Sequence, residues 1–169
     1  SGTHAVLNTF QALHWKAQGI GELWITLLIA IGAVTETIML VAFRRLALRF
    51  RARHLILASA LLAVVRWTAF VFAPGVPWLI PLQAMHALTY AMGFMGCVAF
   101  IANWTSEDIA AEAQSFFTVT QFVATVAALV GFGWLAQRIG SHAYFATAAA
   151  ALAGAGMIWL SLRLKEPAR

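Results

Sequence analysis

Apolar residues fill the chain in long blocks, separated by short polar or proline-rich intervals. A helix that crosses a bilayer needs about 20 largely apolar residues. Such blocks run over 23–43, 55–73, 78–102, 113–136 and 143–162. The second ends at Pro74-Gly75-Val76-Pro77, the third at the polar run 103–108, and the fourth near Gly140. Residues 1–17 are too short and too polar to cross, with His4, Asn8, Gln11 and His14 among them. They read as the outer half of a truncated helix. The pattern predicts an all-α integral membrane fold, with five full transmembrane helices and one partial helix in a single helical bundle over 1–169.

Composition agrees with the pattern. The chain is 62% hydrophobic and 10% charged, where a soluble domain carries about 25% charged residues. Its mean hydropathy is +0.83. A net charge of +5 would suit nucleic acid, but the basic residues sit where membrane topology needs them. Arg44, Arg45, Arg49, Arg51 and Arg53 cluster between two apolar blocks, and Arg163, Lys165 and Arg169 close the chain. This is the positive-inside signature of short cytoplasmic segments. It puts the 44–53 loop, the 103–108 connection and the C-terminus in the cytoplasm, and the 74–77 and 137–141 turns outside. Of the basic residues beyond the spans, Lys16 and Arg138 alone then fall outside. Trp24 and Trp78 lie near the outer boundary and Trp104 near the inner one, where amphipathic rings prefer to sit. The expected location is a cell membrane, plasma or inner, with lipid as a partner and no nucleic acid.

Smaller signals depend on this topology. The single Cys97 excludes an intrachain disulfide and reads as a small apolar helix residue. Asn103-Trp104-Thr105 matches the glycosylation pattern, but on the cytoplasmic side no glycan is expected. The chain lacks an initiator Met and a cleavable signal peptide, so it reads as a piece of a larger protein.

Ionisable side chains inside apolar blocks carry the chemical signal. Glu36, Arg66 and His86 fall within the first, second and third blocks. A charge at bilayer depth is costly and by default marks a proton relay, an ion path or a substrate site. Desolvation favours the neutral form of a carboxyl and a nearby cation its charged form. Glu36, between those two effects, is placed to load and release a proton. Arg66 stays charged and needs a counter-charge, an anionic substrate or many carbonyls. Glu36 is the one carboxylate within a span, so pairing with Arg66 is the structural alternative to coupling.

His86 shares a helical face with Gln83, Tyr90, Gly93 and Cys97, polar in its outer half and small in its inner half. It reads as a substrate hydrogen-bonding or proton-relay group, or as a helix-packing one. Gln114, Thr118, Gln121 and Thr125 form a second stripe, lining a cavity or joining helices. Ala146, Ala150 and Gly154 form a small-residue packing face. The histidines lack metal-ligand spacing, and no nucleotide loop, dinucleotide fingerprint or nucleophile elbow occurs. No catalytic residue, metal or cofactor is therefore assigned, and the chain is not read as an enzyme.

Taken together, these residues resemble the C-terminal half of a major facilitator superfamily transporter, helices seven (in part) to twelve of a twelve-helix fold. Arg44-Arg45-Leu46-Ala47-Leu48-Arg49-Phe50 is similar to the superfamily's basic loop between helices eight and nine. The order Glu, Arg, His on three successive helices is similar to the lactose permease and to the phenylpropionate-type permeases. The stretches His14-Trp15-Lys16-Ala17-Gln18-Gly19 and Leu82-Gln83-Ala84-Met85-His86-Ala87-Leu88-Thr89 look most like the latter group. The resemblance implies secondary transport of a small organic solute by proton symport and alternating access, completed by a missing N-terminal half. Glu36, Arg66 and His86 would then couple protons. His4, Asn8, Gln11, Gln83, His86, Tyr90 and Gln121 would bind substrate. Thr89 stands where lactose permease has a second, proton-carrying carboxylate. Other readings are a drug/proton antiporter and a non-transporting membrane interaction or sensor module.

Overall fold

The computed structural model describes residues 2–164, with side chains described from Phe10 onward. In chain order the helices are α1 (Gly2–Ala17), α2 (Glu22–Arg49), α3 (Ala52–Val71), α4 (Val76–Ala84), α5 (Met92–Trp104), α6 (Ala110–Ile139) and α7 (Tyr144–Ser161). A π-helical turn, Ala87–Ala91, joins α4 to α5. There is no strand among the described residues. Helices are forced by the solvent, since in lipid every backbone N–H and C=O must find its partner within the segment.

By length and composition there are four candidate membrane spans: Glu22–Arg49, Ala52–Val71, Val76–Trp104 and Glu107–Ser161. The sequence pattern predicts five. The difference arises at Gly140–Ala143, a 3-10 turn that links α6 to α7 and makes one helical stretch of 55 residues. Glycine suits this corner, because Gly140 has φ 58°, a conformation that costs an L-residue more than glycine.

The 44–53 segment also differs from expectation. It is not an open loop. α2 runs through Arg49, and Phe50 and Arg51 alone separate it from α3. Arg44, Arg45 and Arg49 are exposed on its final turns. Arg53 is buried instead. Its Nη1 donates to the carbonyls of Ser161 and Leu164, and its guanidinium lies 5.4 Å from the Trp104 ring centroid.

α3 is the central helix, packed on α5, α7 and the π turn, while α1 lies along α6 and α2 along α4. Helices in lipid associate through close packing at small residues. Where α5 meets α3, a Cβ added at Gly93 would meet Ser59 Oγ, and one at Gly96 would come within 2.9 Å of Ile56 Cγ1. α7 meets α3 with Tyr144, Ala148 and Ala155 buried. The expected Ala146, Ala150 and Gly154 face is not this seam. Ala146 and Ala150 are exposed, and nothing lies within 4 Å of a Cβ added at Gly154.

Two apolar clusters divide the bundle. One joins Trp15, Leu28, Trp67, Phe70, Leu79 and Tyr144, with Trp67 stacked on Tyr144 at 5.9 Å. The other joins Phe43, Leu55 and Met92.

Candidate functional site

Arg66 is completely buried, on the face of α3 turned toward α4 and the π turn. Its Nε donates to the Leu82 carbonyl at 2.7 Å. Nη1 donates to His86 Nδ1 at 3.2 Å and to Thr89 Oγ1 at 3.1 Å, and Nη2 to Gln83 Oε1 at 2.8 Å. The Trp67 and Phe70 rings flank the guanidinium at 5.4 and 5.6 Å. A buried charge is tolerable when its donors are satisfied. Here the acceptors are a carbonyl in the last turn of α4, an imidazole, a hydroxyl and an amide. Among the described residues no carboxylate pairs with Arg66. The expected partner, Glu36, lies one residue further along the chain of contacts.

His86 is the intermediary. Arg66 has only protons to offer, so His86 Nδ1 accepts and the ring's remaining proton sits on Nε2. Nε2 lies 3.4 Å from Glu36 Oε2. The imidazole therefore bridges a buried cation and a carboxylate whose side chain keeps 30% of its surface exposed. The ring is clamped by Tyr90, stacked at 5.2 Å between centroids and 9° between planes.

Gln83 closes the other side. Its Nε2 donates to Gln11 Oε1 at 3.3 Å and to the Leu28 carbonyl at 3.2 Å. Gln83 thus ties α1, α2 and α3 together through one amide. Gln11, Gly32, Ala33, Glu36, Gln83 and His86 line a cavity of about 220 Å³. A Cβ at Gly32 would touch Gln83 Nε2 at 3.5 Å, an ordinary van der Waals contact.

The π turn sets this geometry. The Met92 N–H reaches back five residues to the Ala87 carbonyl, and π turns of this kind recur at functional sites. The Thr89 carbonyl accepts from Ser59 Oγ at 2.9 Å. One extra residue in the turn rotates the rest of the span by about 100°. The single face expected from Gln83 to Cys97 is therefore split. Gln83, His86 and Thr89 turn to Arg66. Tyr90, Gly93 and Cys97 turn to a second cavity of about 350 Å³, walled also by Ser59, Ala150 and Gly154.

The chain's likeness to known proteins bears on this site. The model of the MFS_1 like family matches residues 2–153. The chain belongs to the MFS_1-like family. A curated relative from Escherichia coli (strain K12), named "Probable 3-phenylpropionic acid transporter", is 29% identical over 157 residues. The match takes in 89% of this chain and 40% of that protein, so the chain spans well under half of the relative's length. No solved structure matches the chain.

Of the site residues expected in this MFS_1-like multi-pass membrane chain, Gln11, Glu36, Arg66, Gln83 and His86 come together. Tyr90 joins them by stacking on His86. Gln121, on α6, does not line the 220 Å³ cavity. His4 and Asn8 lie outside the described side chains. In the second polar stripe, Gln114 Nε2 reaches the Val98 carbonyl on α5 at 3.3 Å, while Thr118 bonds back to its own helix. Sequence reasoning missed Thr89 and Ser59 as partners. The spacing of three from His86 to Thr89 was the available signal, since it puts both on one helical face.

Proposed function

We propose that this chain is the C-terminal half of a proton-coupled symporter that moves a small organic solute by alternating access. The reading rests on the contact series Arg66, His86, Glu36, which ends at a carboxylate open to a cavity. Glu36 is the proton-loading group. When it is ionised, the His86 Nε2 proton faces it. When it is protonated, that donor is released toward the cavity, where a solute carboxylate can take it. Arg66 supplies the fixed positive charge behind the ring, and Gln11, Gln83 and Tyr90 complete this half of the site, with His4 and Asn8 as further lining, while Gln121 would meet solute only beyond this cavity. The name of the E. coli relative supports an aromatic acid as the solute class.

The 55-residue stretch would be about 80 Å long against a hydrocarbon core of about 30 Å, which supports two crossings, α6 and α7. With α2, α3 and the α4–α5 span that makes five, with α1 as the partial helix. The basic residues at the end of α2 and the start of α3 support a cytoplasmic C-terminus. The cavity opens toward an N-terminal half outside this chain, and substrate binds between the two halves near the midplane.

The test is Glu36→Gln in the full transporter. It is expected to abolish uphill accumulation of an aromatic acid while preserving solute exchange, because exchange needs no net proton movement. Wild-type accumulation by the variant would overturn the proposal.

A further inference from the structure

We propose that Phe94 is a positioning residue for the proton-coupling site, and that Phe117 ties it to the first half of α6. The inference rests on the reading of Glu36 and His86 as coupling groups. Its basis is a series of rings. His86 stacks on Tyr90 at 5.2 Å, Tyr90 stacks on Phe94 at 6.3 Å and 18°, and Phe94 lies 6.4 Å from Phe117. Residues four apart on a helix are surface neighbours, and His86, Tyr90 and Phe94 have that spacing. Aromatic rings at these separations attract in offset or tilted arrangements. The bond from Arg66 holds one edge of the imidazole. The stack sets the plane of the ring, and the plane decides whether the Nε2 proton points at Glu36 Oε2, 3.4 Å away. Phe94 thus acts on the site through Tyr90.

The last ring of the series belongs to a helix held unevenly. Near its C-terminal end α6 is anchored. Phe132 is buried there, 5.4 Å from the Phe10 ring and 5.0 Å from the Tyr144 ring. A Cβ added at Gly133 would lie 3.2 Å from Phe10 Cζ. None of residues 110–131 is buried. Ala124 and Ala128 on that stretch line the cavity of about 350 Å³, and so do Ala150 and Gly154 of α7. Gly131 stands between the anchored and the open parts, with nothing within 4 Å of an added Cβ, and glycine loosens a helix interior. A helix fixed at one end and beside open space along the other swings about its anchor. Phe117 moves with it, and the stack carries the displacement to the plane of His86. Proton loading at Glu36 is thereby matched to the position of α6.

The experiment uses the full transporter in proteoliposomes, with 3-phenylpropionic acid as the solute, and reads the ratio of proton-driven uptake to solute exchange. Phe94→Leu keeps apolar bulk without a ring face, and Phe94→Tyr keeps the ring. Phe94→Leu is expected to lower the ratio by about 2- to 12-fold, the worth of one ring pair, and Phe94→Tyr to restore it. Phe117→Leu should lower the ratio in the same direction. Phe100→Leu removes a ring of the same helix that pairs with Trp104 at 5.3 Å, and should leave the ratio unchanged. Exchange normalises each variant for the amount of folded protein. A wild-type ratio in Phe94→Leu or Phe117→Leu, no recovery in Phe94→Tyr, or an equal fall in Phe100→Leu would each overturn the proposal. Glu36→Gln in the same assay separates the two readings. If it abolishes uphill accumulation while Phe94→Leu matches wild type, this inference alone fails. No accumulation by the wild type, or full accumulation by Glu36→Gln, would overturn the function reading and this inference with it.

Discussion

Arg66 donates to His86 Nδ1 at 3.2 Å, and this one bond decides which nitrogen of the ring faces Glu36. A second proton on the ring would have to go to Nδ1, directly against the guanidinium. As long as the bond persists, the imidazole passes information between cation and carboxylate by its orientation and its single Nε2 proton.

Arg66 should couple energetically to His86 more than to Glu36. Arg66→Gln leaves buried neutral acceptors without their donor, and each such group costs about 1–3 kcal/mol. In double-mutant cycles on unfolding in detergent, Arg66→Gln with His86→Ala should show a coupling of about 1–3 kcal/mol. The cycle with Glu36→Gln should be closer to additive. A larger coupling with Glu36 would mean that the two charges pair directly.

His86 should contact solute from the cavity. His86→Asn keeps a donor and an acceptor near the same place, whereas His86→Leu keeps neither. A thiol at Ala33, which is exposed and lines the cavity, on a Cys97→Ala background reports occupancy through protection from alkylation. The Asn variant should retain partial affinity and the Leu variant should lose it. Wild-type protection in the Leu variant would remove this face from the binding site.

Gly93 should resist enlargement. Gly93→Ala would drive a methyl group into Ser59, whose hydroxyl holds the Thr89 carbonyl of the π turn. Overpacking of this kind costs about 1–3 kcal/mol. The variant's unfolding midpoint in detergent should fall, and pairing it with Ser59→Ala should recover part of the loss. Gly131→Ala is the control, because nothing lies within 4 Å of its added Cβ. Equal effects at the two glycines would show that α3 and α5 do not approach as closely as described.

Phe50 and Gly75 should lie on opposite sides of the membrane, with Phe50 cytoplasmic. Both are exposed, at the α2–α3 and α3–α4 turns. Single cysteines there, on a Cys97→Ala background, can be probed on intact cells with an impermeant thiol reagent. The Gly75 position should label and the Phe50 position should not. The reverse result would invert the orientation proposed for every helix.

The all-helical membrane class and the polar residues that interrupt apolar runs were legible in the sequence alone. Transfer into lipid depends on the composition of a segment, whatever that segment later packs against. For the same reason Glu36, Arg66, His86 and Gln83 stand out as polar residues in apolar runs. Which of them touch was decided by tertiary structure. Contacts depend on how each helix is rotated about its axis, and hydropathy is blind to rotation when a span is apolar all round. The π turn at Ala87–Ala91 adds a residue that no hydrophobic pattern records, so His86 and Thr89 face Arg66 while Gly93 and Cys97 turn to a second cavity. The seam of α7 was hidden likewise. On a helix rich in alanine nearly every face is a small-residue face, and only the position of α3 selects Ala148 and Ala155. Arg53 reads in sequence like its four basic neighbours. It is buried because the Ser161 and Leu164 carbonyls, at and just past the end of α7, lie within its reach.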